Sequence, residues 1–344
     1  MKRKTPILIV DDDAVSREIL SDLLGRNGYE VSTATNGRQA LHALSAGDFR
    51  LVVSDWVMPE MDGLALCRAI RAANFSSYIY FILLTVRSQT RDVVEGLTAG
   101  ADDFITKPFN PEELQVRIRA GERILARETR DLTIFALAKL SEARDPEMGD
   151  HLERVRYYAR IVAEHLAELP KYRDEIDAEF LRLLFLTSPL HDIGKVAIRD
   201  DVLLKPGKLT AAEFDVMKTH AARGAETLQA ALDLHPEAAF LHMARDIAAT
   251  HHERWDGNGY PAGLKGEEIP LCGRIVALAD VYDALTSRRV YKEAFDHETA
   301  RSIIVAGRGT QFDPAMVDAF LANEQQFQAV RECLPDAAEL ALVS

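Results

Sequence analysis

Short apolar runs alternate with amphipathic stretches over residues 1–122. The apolar runs lie at 7–10, 31–34, 51–53, 80–84 and 103–106, and helical patterns lie between them at 14–27, 37–46, 63–73 and 90–99. Strands that alternate with helices predict an α/β domain with a doubly wound, five-stranded parallel sheet covered by helices on both faces. Such a sheet places its functional side chains beyond the carboxyl ends of its strands.

One long helical pattern follows, over residues 111–142, and it is continuous with the last helix of the first domain. Ile118, Leu125 and Leu132 recur every seven residues along it. This spacing leaves two interpretations open: a helix packed on its own chain, or a short coiled coil that makes the protein a homodimer. We expect the helix to link a domain at 1–122 to a helical domain at 133–322, which a weakly patterned tail follows at 323–344.

Composition and charge narrow the class of protein. The 344 residues favour two domains, and 47% apolar residues are enough for buried cores. Lys and Arg number 41 against 54 Asp and Glu, so the net charge of −13 argues against a DNA-binding face. Because we find no signal-peptide core, no apolar run of membrane-spanning length and no CxxC pair, we expect a cytoplasmic protein that does not insert in a membrane.

Three carboxylates follow the ends of two predicted strands. Asp11 and Asp12 come after the first strand and Asp55 after the third, so the topology brings them together. Mg²⁺ prefers carboxylate and phosphate oxygens. Thr85 ends the fourth strand and Lys107 the fifth, adding a hydroxyl and an ammonium group. The set predicts a site that holds a phosphoryl group on a carboxylate.

The surrounding motifs are Val10-Asp-Asp12, Asp55-x-x-Met58-Pro59, Asp62-Gly63, Thr85 and Lys107-Pro108-Phe109. In this order they resemble the receiver domain of two-component response regulators. The resemblance implies that Asp55 is the phosphoacceptor and that a cognate sensor histidine kinase is a partner. It also implies a receiver site with Mg²⁺, formed by Asp11, Asp12, Thr85 and Lys107.

Histidines and acids cluster in the second half of the chain. Imidazole and carboxylate ligands without thiols suit Fe, Mn, Ni, Zn or Co. Buried carboxylates, such as Asp280 and Asp283 inside the apolar helical pattern at 271–286, are costly unless they are paired or bind a metal. The candidate ligands are His151, His191, Asp192, His220, His251, His252 and Asp280. Seven exceed one tetrahedral site, so the set predicts two metal ions that share a bridging carboxylate and activate a water molecule.

The order His191-Asp192-x-Gly194-Lys195, then His251-His252-Glu253-x-x-Asp256-Gly257-x-Gly259-Tyr260-Pro261, resembles the HD-GYP subgroup of the HD phosphohydrolases. The resemblance implies hydrolysis of the bacterial messenger cyclic di-GMP to pGpG, GMP or both, with the seven residues as metal ligands. Asp192 would bridge the ions and, with Lys195, serve catalysis. Lys195, Arg289 and Lys292 would bind substrate phosphates.

The number of metal ions stays open. Glu147 lies four residues before His151, where some HD-GYP members have a ligand for a third ion. The alternative is an acid that is favoured in the first turn of a helix. We therefore expect two or three divalent transition-metal ions.

The combined prediction is a two-component response regulator in which phosphorylation of Asp55 controls an all-α, HD-type cyclic di-GMP phosphodiesterase. Two other functions remain open. One is a catalytically weak module that binds cyclic di-GMP and docks partners such as diguanylate cyclases. The other is a phosphodiesterase for another cyclic dinucleotide, such as cyclic GMP-AMP (cGAMP).

Overall fold

The chain divides into two units, Met1–Arg130 and Asp131–Ser344. The computed structural model describes residues 5–73, 75, 77–86, 90–143, 150–287 and 294–335. Within these ranges no helix combines the length and the apolar character that crossing a bilayer requires.

The first unit is built on a parallel sheet with the strand order β2-β1-β3-β4-β5. The strands are β1 (Pro6–Val10), β2 (Glu30–Ala34), β3 (Leu51–Asp55), β4 (Tyr80–Thr85) and β5 (Asp103–Thr106). The helices are α1 (Ala14–Arg26), α2 (Gly37–Ala46), α3 (Gly63–Ala72), α4 (Thr90–Thr98) and α5 (Pro111–Glu142). The predicted doubly wound sheet is confirmed.

Both faces of the sheet are buried, which explains why its strands are continuous apolar runs. On β1, Leu8 and Val10 pack with residues of α2 and α3, whereas Ile7 and Ile9 pack with residues of α1 and α5. Successive side chains of a strand point to opposite faces, so a single strand serves two cores. The ends of β1 and β3, which carry Asp11 and Asp55, are thereby held in fixed positions by the packed sheet.

Helix α5 has 32 residues, and the backbone N–H of Glu112 donates to Asn110 Oδ1 at 2.8 Å in its first turn. Of the three heptad positions, Ile118 and Leu125 are buried in the core of the first unit, and Leu132 is 54% exposed. The first part of the helix therefore uses its apolar face on its own chain, as the first of the two interpretations expects.

All the secondary-structure elements described in the second unit are helices, as the all-α prediction expects. After the end of α5 come α6 (His151–Ala167), α7 (Ala178–Thr187), α8 (Asp200–Leu203), α9 (Ala211–Leu234), α10 (Ala239–Thr250), α11 (Leu271–Thr286), α12 (His297–Ala306), α13 (Pro314–Ala322) and α14 (Glu324–Cys333). Short 3₁₀ turns lie at Ser188–Leu190, Ile193–Ala197 and Gly266–Glu268. The main core packs α11 against α6 and α13.

Helix α14 lies in a segment for which the sequence predicts no structure. Its Phe327 is fully buried and stacks on Tyr158 of α6, with the ring centroids 4.7 Å apart. One aromatic residue is a weak sequence signal, but in the fold it fixes the helix to the main core.

Candidate metal centre and phosphoacceptor pocket

The acidic pocket of the first unit forms where β1 and β3 end side by side. Carboxylate oxygens of Asp11, Asp12 and Asp55 lie within 4.8 Å of one another. Lys107 Nζ lies 2.8 Å from Asp11 Oδ2 and 2.5 Å from Asp55 Oδ1. Thr85 is buried at the end of β4. The structure thus brings together four side chains that were predicted for the receiver site, Asp11, Asp12, Asp55 and Lys107. It places the fifth residue, Thr85, at the end of the neighbouring strand.

Charge in this pocket is only partly balanced. Burial raises the pKa of Asp55, although the Lys107 ammonium opposes the shift. Burial acts to lower the pKa of Lys107, but its hydrogen bonds to Asp11 and Asp55 outweigh burial and raise it. Three acids facing one ammonium leave negative charge at the pocket. A divalent cation with a preference for oxygen ligands fits this surplus.

A second cluster forms where five separate segments of the second unit meet. His151 begins α6, His220 lies in α9, and Asp280 lies in α11. The pair His191 and Asp192 lies between two 3₁₀ turns, and the pair His251 and His252 directly follows α10. All seven candidate ligands are present in this cluster.

The seven side chains form two groups. One group contains Asp192, His220, His251 and His252, and the other contains His151, His191 and Asp280. Asp192 Oδ1 lies 3.1 Å from His220 Nε2, whereas Asp192 Oδ2 lies 3.4 Å from His191 Nε2. The two oxygens of one carboxylate therefore face different groups, which is the arrangement of a bridging ligand.

Hydrogen bonds fix the direction in which the imidazoles point. The Nδ1 atoms of His191, His220 and His251 donate to the carbonyl oxygens of Ser188, Met217 and Ile247, at 2.8, 2.7 and 3.0 Å. His151 Nδ1 instead lies 2.7 Å from Asp283 Oδ2. Each of these four rings therefore presents Nε2 to the centre of the cluster.

Two observations show that the cluster fits metal ions. His191 Nε2 is buried and has no hydrogen-bond partner among the described residues. Burial acts to lower the pKa of His191, but Asp192 and Asp280 outweigh burial and raise it to about 9. A divalent cation bound to His191 Nε2 would take the place of the proton that the raised pKa favours on this ring.

Lys195 lies on the same 3₁₀ turn that follows Asp192. Its Nζ is 2.9 Å from Asp192 Oδ2. Burial acts to raise the pKa of Asp192, but the charges of Lys195 and His191 hold it well below its usual range. A Cβ atom on Gly194 would clash with the carbonyl oxygen of His220, so glycine lets this turn pack directly on α9. The lysine is thereby placed at the edge of the cluster.

A buried ion pair supports His151 from behind, and the sequence did not reveal it. Arg154 is 1% exposed, and its Nε and Nη2 donate to the two oxygens of Asp283 at 2.5 and 3.0 Å. Arg154 Nη2 also donates to Ser287 Oγ at 2.8 Å. Arg154 lies one turn after His151 and Asp283 lies three residues after Asp280, so helical spacing was the available signal.

The loop after His252 is shaped by another buried acid that was not singled out. Glu253 is 3% exposed and accepts hydrogen bonds from the backbone N–H groups of Ala262, Gly263 and Leu264. This loop places the Tyr260 ring 4.7 Å from the His252 ring, measured between centroids. A cavity of about 390 Å³ lies beside them, lined also by Phe214, Lys218, Asn258 and Gln311.

Three predicted site residues lie outside the described part of the chain: Glu147, Arg289 and Lys292. One acid that was not predicted lies beside the cluster instead. Glu142, at the end of α5, is 5% exposed, and burial raises its pKa.

Family models match both units. The response regulator receiver domain matches residues 7–119, and the HD domain matches residues 137–316, which is more than half of the chain. The chain therefore belongs to the HD domain family of metal-dependent phosphohydrolases, and it carries a receiver domain in front of that domain. It is a response regulator with an enzymatic output, which confirms both predicted resemblances.

Several relatives match the whole chain or a large part of it. A Vibrio cholerae serotype O1 protein named "Probable cyclic di-GMP phosphodiesterase" is 41% identical over 354 residues, covering 96% of this chain and 80% of the relative. The "Cyclic di-GMP phosphodiesterase response regulator RpfG" of Xanthomonas campestris pv. campestris is 38% identical over 350 residues, covering 94% and 89%. The "3'3'-cGAMP-specific phosphodiesterase 2" of Vibrio cholerae serotype O1 is 42% identical over 210 residues, covering 61% and 38%.

Proposed function

We propose that the second unit hydrolyses cyclic di-GMP to pGpG, GMP or both, at two or three divalent transition-metal ions chosen from Fe, Mn, Ni, Zn and Co, two of which the seven described ligands would hold. The observation that carries the proposal is the position of Asp192, whose two carboxylate oxygens face the two ligand groups. The names and high coverage of the Vibrio and Xanthomonas relatives support the choice of substrate.

Each part of the cluster has a role in this reaction. When bound, two metal ions polarise the phosphodiester and supply a nucleophile at neutral pH. The five histidines would hold the ions together with Asp280, and Asp192 would be the ligand that they share. Lys195, 2.9 Å from Asp192, neutralises the charge that grows on the phosphate in the transition state. Arg289 and Lys292, outside the described residues, would bind the second phosphate, as the HD-GYP resemblance implies.

In the proposed division of labour, residues 1–122 receive the signal, the helix at 111–142 transmits it, residues 133–322 carry the catalytic site, and 323–344 form the C-terminal part. A sensor histidine kinase would phosphorylate Asp55 with Mg²⁺ bound by Asp11, Asp12 and Asp55. Lys107 would pair with the phosphoryl group, and Thr85 would hydrogen-bond to it. The contacts of Lys107 with Asp11 and Asp55 support this assignment.

The activity is tested by anaerobic loading of the full chain with Fe²⁺ or Mn²⁺ and incubation with cyclic di-GMP. We expect linear products from the wild type and none from His191→Ala. If the metal-loaded wild type binds the dinucleotide tightly but leaves it intact, the chain acts as a binding and docking module for partners such as diguanylate cyclases, and the enzymatic proposal is wrong.

A second substrate is favoured by one observation, the 42% identity to a cGAMP-specific phosphodiesterase over 61% of the chain. The relevant comparison is kcat/KM for cyclic di-GMP and for 3'3'-cGAMP with the same enzyme preparation. We expect cyclic di-GMP to be the better substrate. A higher kcat/KM for cGAMP would reassign the specificity and leave the metal centre unchanged.

Control by the receiver is tested separately. Beryllofluoride with Mg²⁺ mimics a phosphoryl group on a carboxylate, and it should change the turnover of the wild type but not that of Asp55→Asn. Equal turnover of the wild type with and without beryllofluoride would contradict the regulatory part of the proposal only.

A further inference from the structure

The last residue of α5, Glu142, is a buried acid that no role described so far explains. It is 5% exposed, and its Oε2 atom has no hydrogen-bond partner among the residues that the structure describes. An acid that is buried without a partner costs free energy, which a bound cation would recover. The carboxylate of Glu142 is therefore suited to bind a cation.

The position of this carboxylate identifies the cation that it would bind. Glu142 Oε1 lies 3.9 Å from His151 Nε2, which is too long for a hydrogen bond. His151 Nε2 lies 3.7 Å from Asp280 Oδ1, and His191 Nε2 lies 3.8 Å from the same oxygen. The acid therefore joins the side of the cluster that holds His151, His191 and Asp280.

Coordination geometry explains these spacings. Nitrogen and oxygen ligands of a transition-metal ion lie about 2.0–2.2 Å from it. Two ligand atoms of one ion are then separated by roughly 3 Å when adjacent and by roughly 4.3 Å when opposite. The distances of 3.7 and 3.8 Å from Asp280 Oδ1 to His151 and His191 fall inside this range. The 3.9 Å between Glu142 Oε1 and His151 Nε2, the distance that involves Glu142, falls inside it as well. The mutually close group itself consists of His151, His191 and Asp280, so Glu142 would join it by a small side-chain movement when the cation binds.

We propose that Glu142 is a ligand of the cation held by His151, His191 and Asp280. The inference rests on the proposed two-metal centre and adds a ligand that the helix α5 supplies. With Asp192 as the bridge, this ion would have two imidazoles and three carboxylates. The other ion would have three imidazoles and one carboxylate, from His220, His251, His252 and Asp192.

The test measures metal binding by the full chain, independently of turnover. Mn²⁺ bound per chain is determined by equilibrium dialysis and elemental analysis for the wild type, Glu142→Gln and the control Glu164→Gln. Glu164 pairs with Arg160 on the surface of α6 at 2.6 Å and is 44% exposed. We expect Glu142→Gln to weaken one of two Mn²⁺ sites by at least about 10-fold, a loss that changes to outer-shell partners of metal ligands already reach. Glu164→Gln should bind Mn²⁺ as the wild type does.

Thermal melting in the presence of a chelator distinguishes a purely structural role of Glu142 from a role as a metal ligand. Because the Oε2 atom has no partner in the described structure, the metal-free Glu142→Gln variant should melt at the wild-type temperature or above it. Only the rise in Tm on adding Mn²⁺ should shrink. A lower metal-free Tm together with the wild-type rise would overturn the assignment.

The remaining outcomes are distinguishable. If Glu142→Gln binds Mn²⁺ with the wild-type affinity and stoichiometry, the ligand assignment is wrong. If His191→Ala loses Mn²⁺ in the same experiment, the proposal of a metal centre still stands. If the wild type binds neither Mn²⁺ nor Fe²⁺, the proposed function fails together with the ligand assignment. Glu147→Gln, measured in parallel, shows whether that acid serves the same ion: a normal Glu147→Gln with a weakened Glu142→Gln supports the proposal, and the reverse contradicts it.

Discussion

The molecule has two clusters of candidate metal ligands, and they differ in ligand chemistry and burial. The cluster of the first unit contains only carboxylates, with Lys107 as its counter-charge, and Asp12 is exposed. The cluster of the second unit combines imidazoles with carboxylates, and His191 and His251 are buried. Oxygen ligands at the surface suit an exchangeable Mg²⁺, whereas buried imidazoles suit resident transition metals.

The two clusters also differ in how the fold assembles them. Topology alone brings Asp11 and Asp55 together, because β1 and β3 are neighbours in a parallel sheet. The second cluster needs five segments and a supporting set of hydrogen bonds behind its ligands. Changes behind the ligands should therefore damage the second cluster much more than the first.

Removal of the bridging carboxylate should have the largest effect. Asp192→Ala leaves two groups of imidazoles without their shared ligand, so turnover should fall by about 10³-fold or more, equivalent to several kcal/mol of transition-state stabilisation. Phosphorylation of Asp55 by a small phosphodonor should stay normal in the same variant. Residual turnover within 10-fold of the wild type, a ratio of about 1.4 kcal/mol, would show that Asp192 does not bridge the ions.

Loss of the buried Arg154 should destabilise the second unit by about 3–5 kcal/mol, because Asp283 would keep its charge without a partner. Hydrogen exchange followed by mass spectrometry resolves the two units, and protection should fall in α6 and α11 but not in the sheet. The control Arg160→Ala removes an exposed pair with Glu164 and should cost less than about 1 kcal/mol. Equal effects of the two substitutions would contradict this assignment.

Loss of the Lys195 ammonium should lower kcat by about 10²–10³-fold, because charge on the phosphate would no longer be neutralised. Metal content should remain near that of the wild type, since Lys195 is not a ligand. The exposed Lys208 provides the control, and Lys208→Ala should keep the wild-type kcat. A Lys195→Ala variant that loses its metal would instead assign the lysine to the integrity of the cluster.

The smallest effect on the metal centre is expected from Asp283→Asn, measured at a temperature where the fold is retained, because the change also leaves the buried Arg154 without its carboxylate and destabilises the second unit. The amide cannot accept as strongly from His151 Nδ1, so metal affinity should fall by about 10–100-fold. Excess metal should restore most of the turnover, which distinguishes a positioning residue from a ligand. Turnover that stays low at saturating metal would contradict this role.

Much of this architecture is readable from the sequence because local signals and topology agree. The strand runs and the buried helix at 271–286 recur in the structure. Arg154 and Glu142 were not predicted as site residues, and Asp283 was expected only to be a costly buried acid, because the local contexts of all three are ordinary. Their roles depend on burial against segments distant in the chain, which hydrophobic periodicity does not report.

The most direct test of the two-ion centre is anomalous diffraction at the Mn or Fe edge from crystals of the metal-loaded full chain. We expect two peaks about 3.5–4 Å apart, separated by the Asp192 carboxylate. One should lie among His220, His251 and His252, and the other among His151, His191 and Asp280. A single peak, or two peaks that do not share Asp192, would contradict the central claim.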